Sequence, residues 1–366
     1  MNEIKTVTLT LTQQCNLNCS YCYERHKSPR KMDAETAKKI IDYELKNSED
    51  FPFIEFDFFG GEPFLVFDLV QELTEFILEN KGNRECIIFA TTNGTLIHGA
   101  IQEWLTKHAG TFVCGLSLDG TREMHNVNRS NSYDSIDLDF FLKTYPQQEI
   151  KMTVSKETLS DFAQGVIELH NKGFRVSCNL AYGIDWSALE NETILARELN
   201  KLVDFYLSNP QVEPCSMLET GIDLVGLNQE YVSRYCGAGF YMRTYDVDGT
   251  NYPCQFFMPL SVGKEKAEDS LSIEFPSSII PDSLLDGKCR NCVIRSSCPN
   301  CFGSNYASTG NIYKRDDNMC RLTKIIFKAR SYFRAKQWEL GQLQASPDDL
   351  DVLLRAIVKI QEELEV

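Results

Sequence analysis

A short loop behind the strand-like run Thr6–Thr12 carries Cys15, Cys19 and Cys22, spaced by three and two residues. That triplet restricts the chain more than any other feature. Each iron of a four-iron cubane asks for a soft ligand such as thiolate. Three cysteines in one short loop reach three corners and leave the fourth iron open to an exogenous chelating molecule. An open position suits a reactive cofactor, whereas a closed ligand set suits a structural site. Zinc is the alternative occupant, although it usually takes four protein ligands from pairs of C-x2-C.

The chain holds fourteen cysteines in 366 residues. Besides the triplet, seven fall between Cys236 and Cys320, and Cys86, Cys114, Cys178 and Cys215 are scattered. The division points to metal ligands at the two ends and packing thiols between them. The first residues lack the basic start and apolar run of a signal peptide, and nowhere do enough apolar residues run together for a membrane span. The chain therefore reads as cytoplasmic, where a disulfide framework is not expected. A net charge of −15 and a pI near 4.9 argue against a nucleic-acid surface. They suit a solvated surface and are compatible with basic peptide partners. His26, His98, His108, His125 and His170 show no ligand spacing and read as surface or satisfied residues.

Strand signals at Thr6–Thr12, Ile54–Phe59, Glu85–Thr91, Phe112–Ser117, Glu149–Val154 and Arg175–Ala181 alternate with helical patterns. The helical stretches are Asp33–Asn47, Leu65–Asn80, Ala100–His108, Ile136–Tyr145, Asp161–Lys172 and Glu190–Ser208, the first two with apolar residues returning every three or four positions. Such alternation predicts an α/β fold, a parallel sheet covered by helices, closed as a barrel or open and doubly wound. In both, the site lies at the carboxyl ends of the strands. From about Asn209 the pattern breaks. Tyr235–Cys320 is rich in Cys, Gly, Pro and Asn and would need metal cross-links to hold its shape. Leu322–Leu343 and Asp348–Glu365 again read as helices, with a break at Ser346-Pro347.

The octapeptide Cys15-Asn16-Leu17-Asn18-Cys19-Ser20-Tyr21-Cys22 resembles the signature of the radical S-adenosylmethionine (SAM) superfamily. Three further stretches near strand ends strengthen the likeness. Gly60-Gly61-Glu62-Pro63 is similar to the family's GGEP motif, whose backbone and carboxylate hold the ammonium of SAM. Glycines permit close backbone approach, and the carboxylate offers a charge-assisted acceptor. Thr92-Asn93-Gly94 ends the third strand. Ser117-Leu118-Asp119-Gly120 ends the fourth, and Arg129 follows. The resemblance implies a cluster on the three cysteines whose open iron is chelated by SAM, and one-electron cleavage of the sulfonium to a 5′-deoxyadenosyl radical. It places Tyr21 near the adenine, Asn93 and Asp119 beside the cofactor, and Ser117 and Arg129 on its carboxylate.

Cys236, Gly249, Cys254, Cys289, Cys292, Cys298, Cys301 and Cys320 resemble the SPASM domain of peptide-modifying members of the superfamily. That likeness implies a partial (β/α)6 TIM barrel over residues 1–212, a cysteine-rich auxiliary-cluster domain with linker over 213–325, and C-terminal helices over 326–366. It also implies three [4Fe-4S] clusters. Carried over by position, one auxiliary cluster takes Cys289, Cys292, Cys298 and Cys320. The other takes Cys236, Cys254 and Cys301. Its fourth ligand is either Cys215 or absent, leaving an open iron. This sequence has two residues between Cys298 and Cys301 where the family usually has three.

SPASM-bearing relatives form thioether or carbon–carbon cross-links in ribosomally made precursor peptides, or convert Cys or Ser of sulfatases to formylglycine. The sulfatase-maturing enzymes place an Asp after the second SPASM cysteine; here Gln255 stands there and cannot take up a proton at ordinary pH. Asp246 and Asp248 are nearby candidates for a catalytic base, with turn formation beside Gly249 as their plainer role. A peptide thioether-forming enzyme is therefore expected, reduced by a flavodoxin or ferredoxin. Sulfatase maturation, carbon–carbon cyclisation and a non-catalytic iron–sulfur or zinc protein are the alternatives. With about five residues before the first strand, no N-terminal leader-recognition domain is expected.

Overall fold

In a computed structural model that describes residues 4–219, 221–227, 229 and 231–365, strands and helices alternate as the sequence predicts. They are β1 (Ile4–Thr12), α1 (Ala34–Lys46), β2 (Phe53–Gly60), α2 (Phe67–Asn80), β3 (Glu85–Thr92), α3 (Ala100–His108), β4 (Phe112–Leu116), α4 (Arg122–Asn128), α5 (Leu138–Thr144), β5 (Ile150–Val154), α6 (Phe162–Asn171), β6 (Val176–Leu180) and α7 (Glu190–Ser208). The parallel α/β architecture is that of a partial TIM barrel, extended by C-terminal helices. No helix among the described residues is long and apolar enough to cross a membrane.

The chain forms two compact units. The first comprises Met1–Leu118, His125–Lys151 and Cys236–Phe275. Its sheet runs in the order β4-β3-β2-β1 and continues through Met242–Tyr245 and Asn251–Tyr252. β1 is central, and its alternation shows why: Val7, Leu9 and Leu11 are fully buried on one face, while Thr8, Thr10 and Thr12 fill the other. Burying each aliphatic side chain contributes about 1.5–3 kcal/mol. Strand Met242–Tyr245 lies parallel to β1, from Thr6 opposite Met242 to Leu9 opposite Tyr245. Nothing in the broken pattern after Asn209 signalled it. Helix α1 begins at the cap Asp33, whose carboxylate accepts the Thr36 N–H at 2.9 Å. It buries Ala37, Ile40, Ile41 and Leu45, one helical face. A buried Glu44 on α1 binds Lys5 Nζ and the Tyr245 hydroxyl, each at 2.5 Å, tying the helix to two strands. A single parallel bridge, Ser117 with Lys151, leads from the end of β4 to β5.

The second unit comprises Asp119–Met124, Met152–Tyr235 and Pro276–Val366. It contains β6, α6 and α7, the cysteine-rich segment after Pro276, and helices Asp317–Glu339 and Pro347–Glu363. The first of these helices starts earlier than its periodicity suggests, because Asp316 caps it through the Met319 N–H. The second starts at the predicted break, where Ser346 Oγ accepts the Asp349 N–H. Ile222, Val225, Ile294, Phe327, Leu353, Ala356, Ile357 and Ile360 form a buried cluster between these helices and the cysteine-rich segment.

Candidate active site

The cysteine loop leaves the carboxyl end of β1 and returns beside it. Gln13 N–H donates to Arg30 O and Met32 N–H to Leu11 O, both at 2.9 Å, so the excursion is pinned at its base. Within it, Cys22 N–H donates to Cys19 O (3.2 Å). The segment after α4 braces it from outside: Ser20 N–H donates to Asn128 O (2.9 Å) and Asn18 N–H to Ser130 Oγ (3.0 Å). Ser130 and Asn131 both adopt φ = 56°, a left-handed conformation unusual outside glycine. Strain of that kind persists where the surroundings fix it, often at functional sites. The three cysteines are half-buried, and burial pushes the Cys15 and Cys22 thiols up. Lys27 faces all three. Burial works to lower its pKa, but Cys22, Cys15, Cys19 and Glu24 together hold it above the ordinary value.

Gly60 and Gly61 press β2 against this loop. Gly60 has φ = +133°, and a Cβ there would lie 2.0 Å from Thr12 O. A Cβ on Gly61 would lie 2.3 Å from Gln14 O and 2.9 Å from Cys15 Cβ. The contact is closed by Gly61 N–H to Thr12 O (3.1 Å) and Glu62 N–H to Gln14 O (2.8 Å). Only glycine fits, which is the physical content of the motif. The Glu62 carboxylate is buried and accepts from Thr92 Oγ1 (2.8 Å), Asn93 N–H (2.8 Å) and Phe64 N–H (3.2 Å). Burial still pushes its pKa up to about 7, against those bonds and the charge of Arg129. A cation brought beside it would favour ionisation, so the group fits an ammonium ligand.

Asn93 joins the third strand end to the cysteine loop through Nδ2 to Asn16 Oδ1 (2.9 Å), and Asn16 Nδ2 donates onward to Thr95 Oγ1 (2.8 Å). Ser117 is buried, its N–H on Thr92 O (2.9 Å). Arg129 is buried with its guanidinium 5.4 Å from the Tyr21 ring centroid. The first unit thus gathers Cys15, Cys19, Cys22, Tyr21, Gly60, Gly61, Glu62, Pro63, Asn93, Ser117 and Arg129 around the ends of its strands. Asp119 belongs to the second unit, where its buried carboxylate accepts the Thr153 N–H at 2.8 Å. Sequence reading missed Asn16, Lys27 and the Asn128–Ser130 brace. Asn16 lies inside the octapeptide, but only its partners reveal its role.

In the second unit Cys289, Cys292, Cys298 and Cys320 line one pocket together with Lys288, Arg315 and Lys324. Cys320 sits in the first turns of helix Asp317–Glu339, which carries it to the other three. Burial pushes Cys289 up to about 12 and Cys298 to about 11, each with neighbouring thiols adding to the rise. Arg315 Nη1 reaches Cys298 Sγ at 2.7 Å. Four soft donors that converge among cations fit an anionic thiolate cluster.

Cys236 and Cys254 flank the Met242–Tyr252 hairpin of the first unit, where Gly239 N–H to Pro253 O (3.0 Å) draws its two ends together. Cys301, in the second unit, caps helix Phe302–Thr309. Cys215 is fully buried there and hydrogen-bonds Cys178 and Tyr206. Asp246 and Asp248 each combine a local turn bond with a partner distant in sequence. Asp246 Oδ1 accepts from Gln13 Nε2 (2.7 Å) and Val247 N–H (2.8 Å). Asp248 pairs with Arg30 (2.9 Å) and accepts the Thr250 N–H (3.0 Å). Cys114 and Cys178 are core residues, and Cys86 is half-buried. His125 is fully buried, with Nε2 3.0 Å from Ser132 Oγ.

Residues 9–194, half of the chain, match the profile of the Radical SAM superfamily. An uncharacterised protein of Methanocaldococcus jannaschii is 32% identical over 148 residues; the match covers 40% of this chain and 51%, about half, of that protein. The radical SAM cyclopropyl synthase TigE of Paramaledivibacter caminithermalis is 22% identical over 89% of this chain and 74% of its own. The cysteine-type anaerobic sulfatase-maturating enzyme of Clostridium novyi is 24% identical over 90% and 95%. Among solved structures, native anSMEcpe with bound AdoMet and peptide superposes with a TM-score of 0.70 at 18% identity, covering 92% of this chain and 99% of that one. Streptococcus suis SuiB bound to its precursor peptide SuiA gives 0.53 at 17%, covering 86% and 75%.

Proposed function

Because the chain belongs to the radical SAM superfamily, we propose that it is a peptide maturase that forms an intrapeptide cross-link, most simply a thioether from Cys sulfur to carbon. The observation that carries the catalytic half is the cysteine loop locked against Gly60-Gly61-Glu62 at the head of β1 and β2. A [4Fe-4S] cluster with SAM supplies a carbon-centred radical that abstracts hydrogen from an unactivated carbon.

The chain's own residues bind and orient. Cys15, Cys19 and Cys22 hold three irons, Glu62 takes the cofactor's ammonium, Ser117 and Arg129 its carboxylate, and Tyr21 flanks the adenine with Arg129 over its ring. Lys27 balances the negative charge of the thiolates. Cys289, Cys292, Cys298 and Cys320 hold one auxiliary cluster. The resemblance assigns Cys236, Cys254 and Cys301 to the other, a set of three that would leave room for a substrate thiolate; the engagement of Cys215 with Cys178 argues against Cys215 as a fourth ligand. A peptide substrate is supported by the bound peptides of anSMEcpe and SuiB. A flavodoxin or ferredoxin is the expected reductant.

Formylglycine formation is the second reading, favoured by the match along almost the whole Clostridium novyi enzyme. Gln255 in place of the expected acid weighs against it. Anaerobic reconstitution followed by mass spectrometry on Cys-containing peptides separates the two. A cross-link removes two hydrogens and keeps the sulfur, whereas formylglycine removes two hydrogens and replaces sulfur with oxygen. Failure to release 5′-deoxyadenosine under strong reduction would refute both.

A further inference from the structure

Beside the edge strand β6, wholly inside the second unit, lies a cavity of about 310 Å³. Helix Asp317–Glu339 contributes Thr323 and Arg330 to its lining. Arg315, Asn179 and Tyr182 also line it. No aspartate or glutamate is among the described residues that line it. Two guanidinium groups are thus buried in a space without a carboxylate. Arg315 is 7% exposed and Arg330 6%.

Their hydrogen bonds differ. Arg315 is largely engaged, with Nη1 on Cys298 Sγ (2.7 Å) and Nη2 on Thr323 Oγ1 (2.8 Å), so its charge serves the thiolate pocket next door. Arg330 donates from Nε to Met217 O (2.8 Å) and lies over the Phe327 ring at 4.9 Å. Its Nη1 is buried with no partner, as is Nε of Arg315. Burial without an acid pushes the Arg330 pKa below its ordinary value. A buried donor left unmatched costs about 1–3 kcal/mol, more when charged. Such a group persists where something else satisfies it.

We propose that this cavity is a subsite for a carboxylate group of the substrate peptide, held by Arg330. The planar fork of a guanidinium matches a carboxylate. One uncommitted cation suits a monoanion better than a phosphate dianion. The carboxylate can come from an acidic side chain or from the peptide's C-terminus. The proposal rests on the peptide-maturase reading for the identity of the ligand, but not for the binding itself.

The test uses the full chain with its clusters reconstituted anaerobically, and no turnover. Saturation-transfer NMR titrations compare N-acetylglycine, N-acetylaspartate α-amide, neutral N-acetylglycinamide and inorganic phosphate. The subsite predicts binding of at least one carboxylate probe and none of the neutral amide. Whichever carboxylate binds more tightly names the source. Arg330→Gln should weaken the binding by about tenfold or more, and Arg330→Lys should restore part of it. If Arg330→Gln fails to fold, Asn179→Asp, at an exposed lining position, should weaken the same probe by charge repulsion. Equal binding of the neutral amide, tighter binding of phosphate, or unchanged binding in Arg330→Gln and Asn179→Asp would overturn the subsite. An altered auxiliary-cluster EPR signal in Arg330→Gln with unchanged probe binding would likewise overturn it, giving the arginine to the cluster. Loss of radical chemistry with carboxylate binding intact would count only against the maturase reading.

Discussion

The N-terminal cysteine loop and the C-terminal cysteine array would bind the same kind of cofactor, yet they are built in opposite ways. The loop is short, pinned by backbone bonds at its base, braced by Asn128 and Ser130, and pressed on by two glycines. The array is spread over a hairpin, short helices and the loops between them. Between Cys289 and Cys301 the only apolar residue fully buried is Ile294. The first site is shaped by backbone bonds and close glycine contacts; around the second, few apolar side chains are buried, so we propose that metal would contribute more to its shape. Preorganisation suits the site where a reactive ligand must be oriented, whereas binding a metal can supply folding free energy to a segment that buries little apolar surface.

The comparison can be broken most sharply with cysteine variants. Cys19→Ala should drop 5′-deoxyadenosine release to background while leaving the melting temperature almost unchanged. Cys298→Ala should lower the melting temperature clearly and impair turnover while SAM cleavage survives. Equal destabilisation by the two would erase the distinction. A second break uses oxidative cluster removal by a chelator, followed by limited proteolysis. Cuts should come first between residues 287 and 301, with β1 to β4 protected; first cuts in the 15–22 loop would count against preorganisation.

The rigidity of the loop itself is tested by Gly61→Ala. Its methyl would meet Gln14 O at 2.3 Å, so destabilisation of about 1–3 kcal/mol is expected from overpacking, with weakened SAM binding measured by equilibrium dialysis. Smaller again is a pH effect. The folded pKa of Glu62, about 7, stands above its ordinary 4.5. Without cofactor this group favours the folded state at low pH, and that stability falls as pH rises from about 4.5 through about 7. A SAM ammonium prefers the ionised carboxylate, so SAM affinity should rise over that upper range in the wild type and stay flat in Glu62→Gln. The smallest effect belongs to Asp248→Asn. Its exposed pair with Arg30 should be worth under about 1 kcal/mol, and product formation should be unaffected; a large loss would make Asp248 a base after all.

The sequence made the loop legible because its chemistry is local: three thiols, two glycines and one acid at strand ends need only short-range spacing to be recognised. The strand–helix alternation through α7 was legible for the same reason, since periods of two and 3.6 survive in β1 and α1. Strand Met242–Tyr245 was not, because four residues among loops show no period and owe their conformation to β1. Helix α4 was missed inside a polar run whose burial comes from tertiary packing. Arg315 and Arg330 could not be singled out, since an unmatched buried guanidinium is a property of its surroundings. Asp246 and Asp248 show the converse limit: sequence proximity to Cys254 suggested a base or a turn, and could not show that Asp246 also binds Gln13 and Asp248 pairs with Arg30, both far off in sequence.

Radical chemistry in this protein depends on a cluster at Cys15, Cys19 and Cys22 with one iron left for SAM. Electron paramagnetic resonance of the dithionite-reduced full chain, with and without SAM, reads that directly. SAM should shift the signal of one cluster, and the shift should vanish in Cys19→Ala while the auxiliary signals remain. A spectrum indifferent to SAM in the wild-type protein, with zinc in place of iron on elemental analysis, would contradict it.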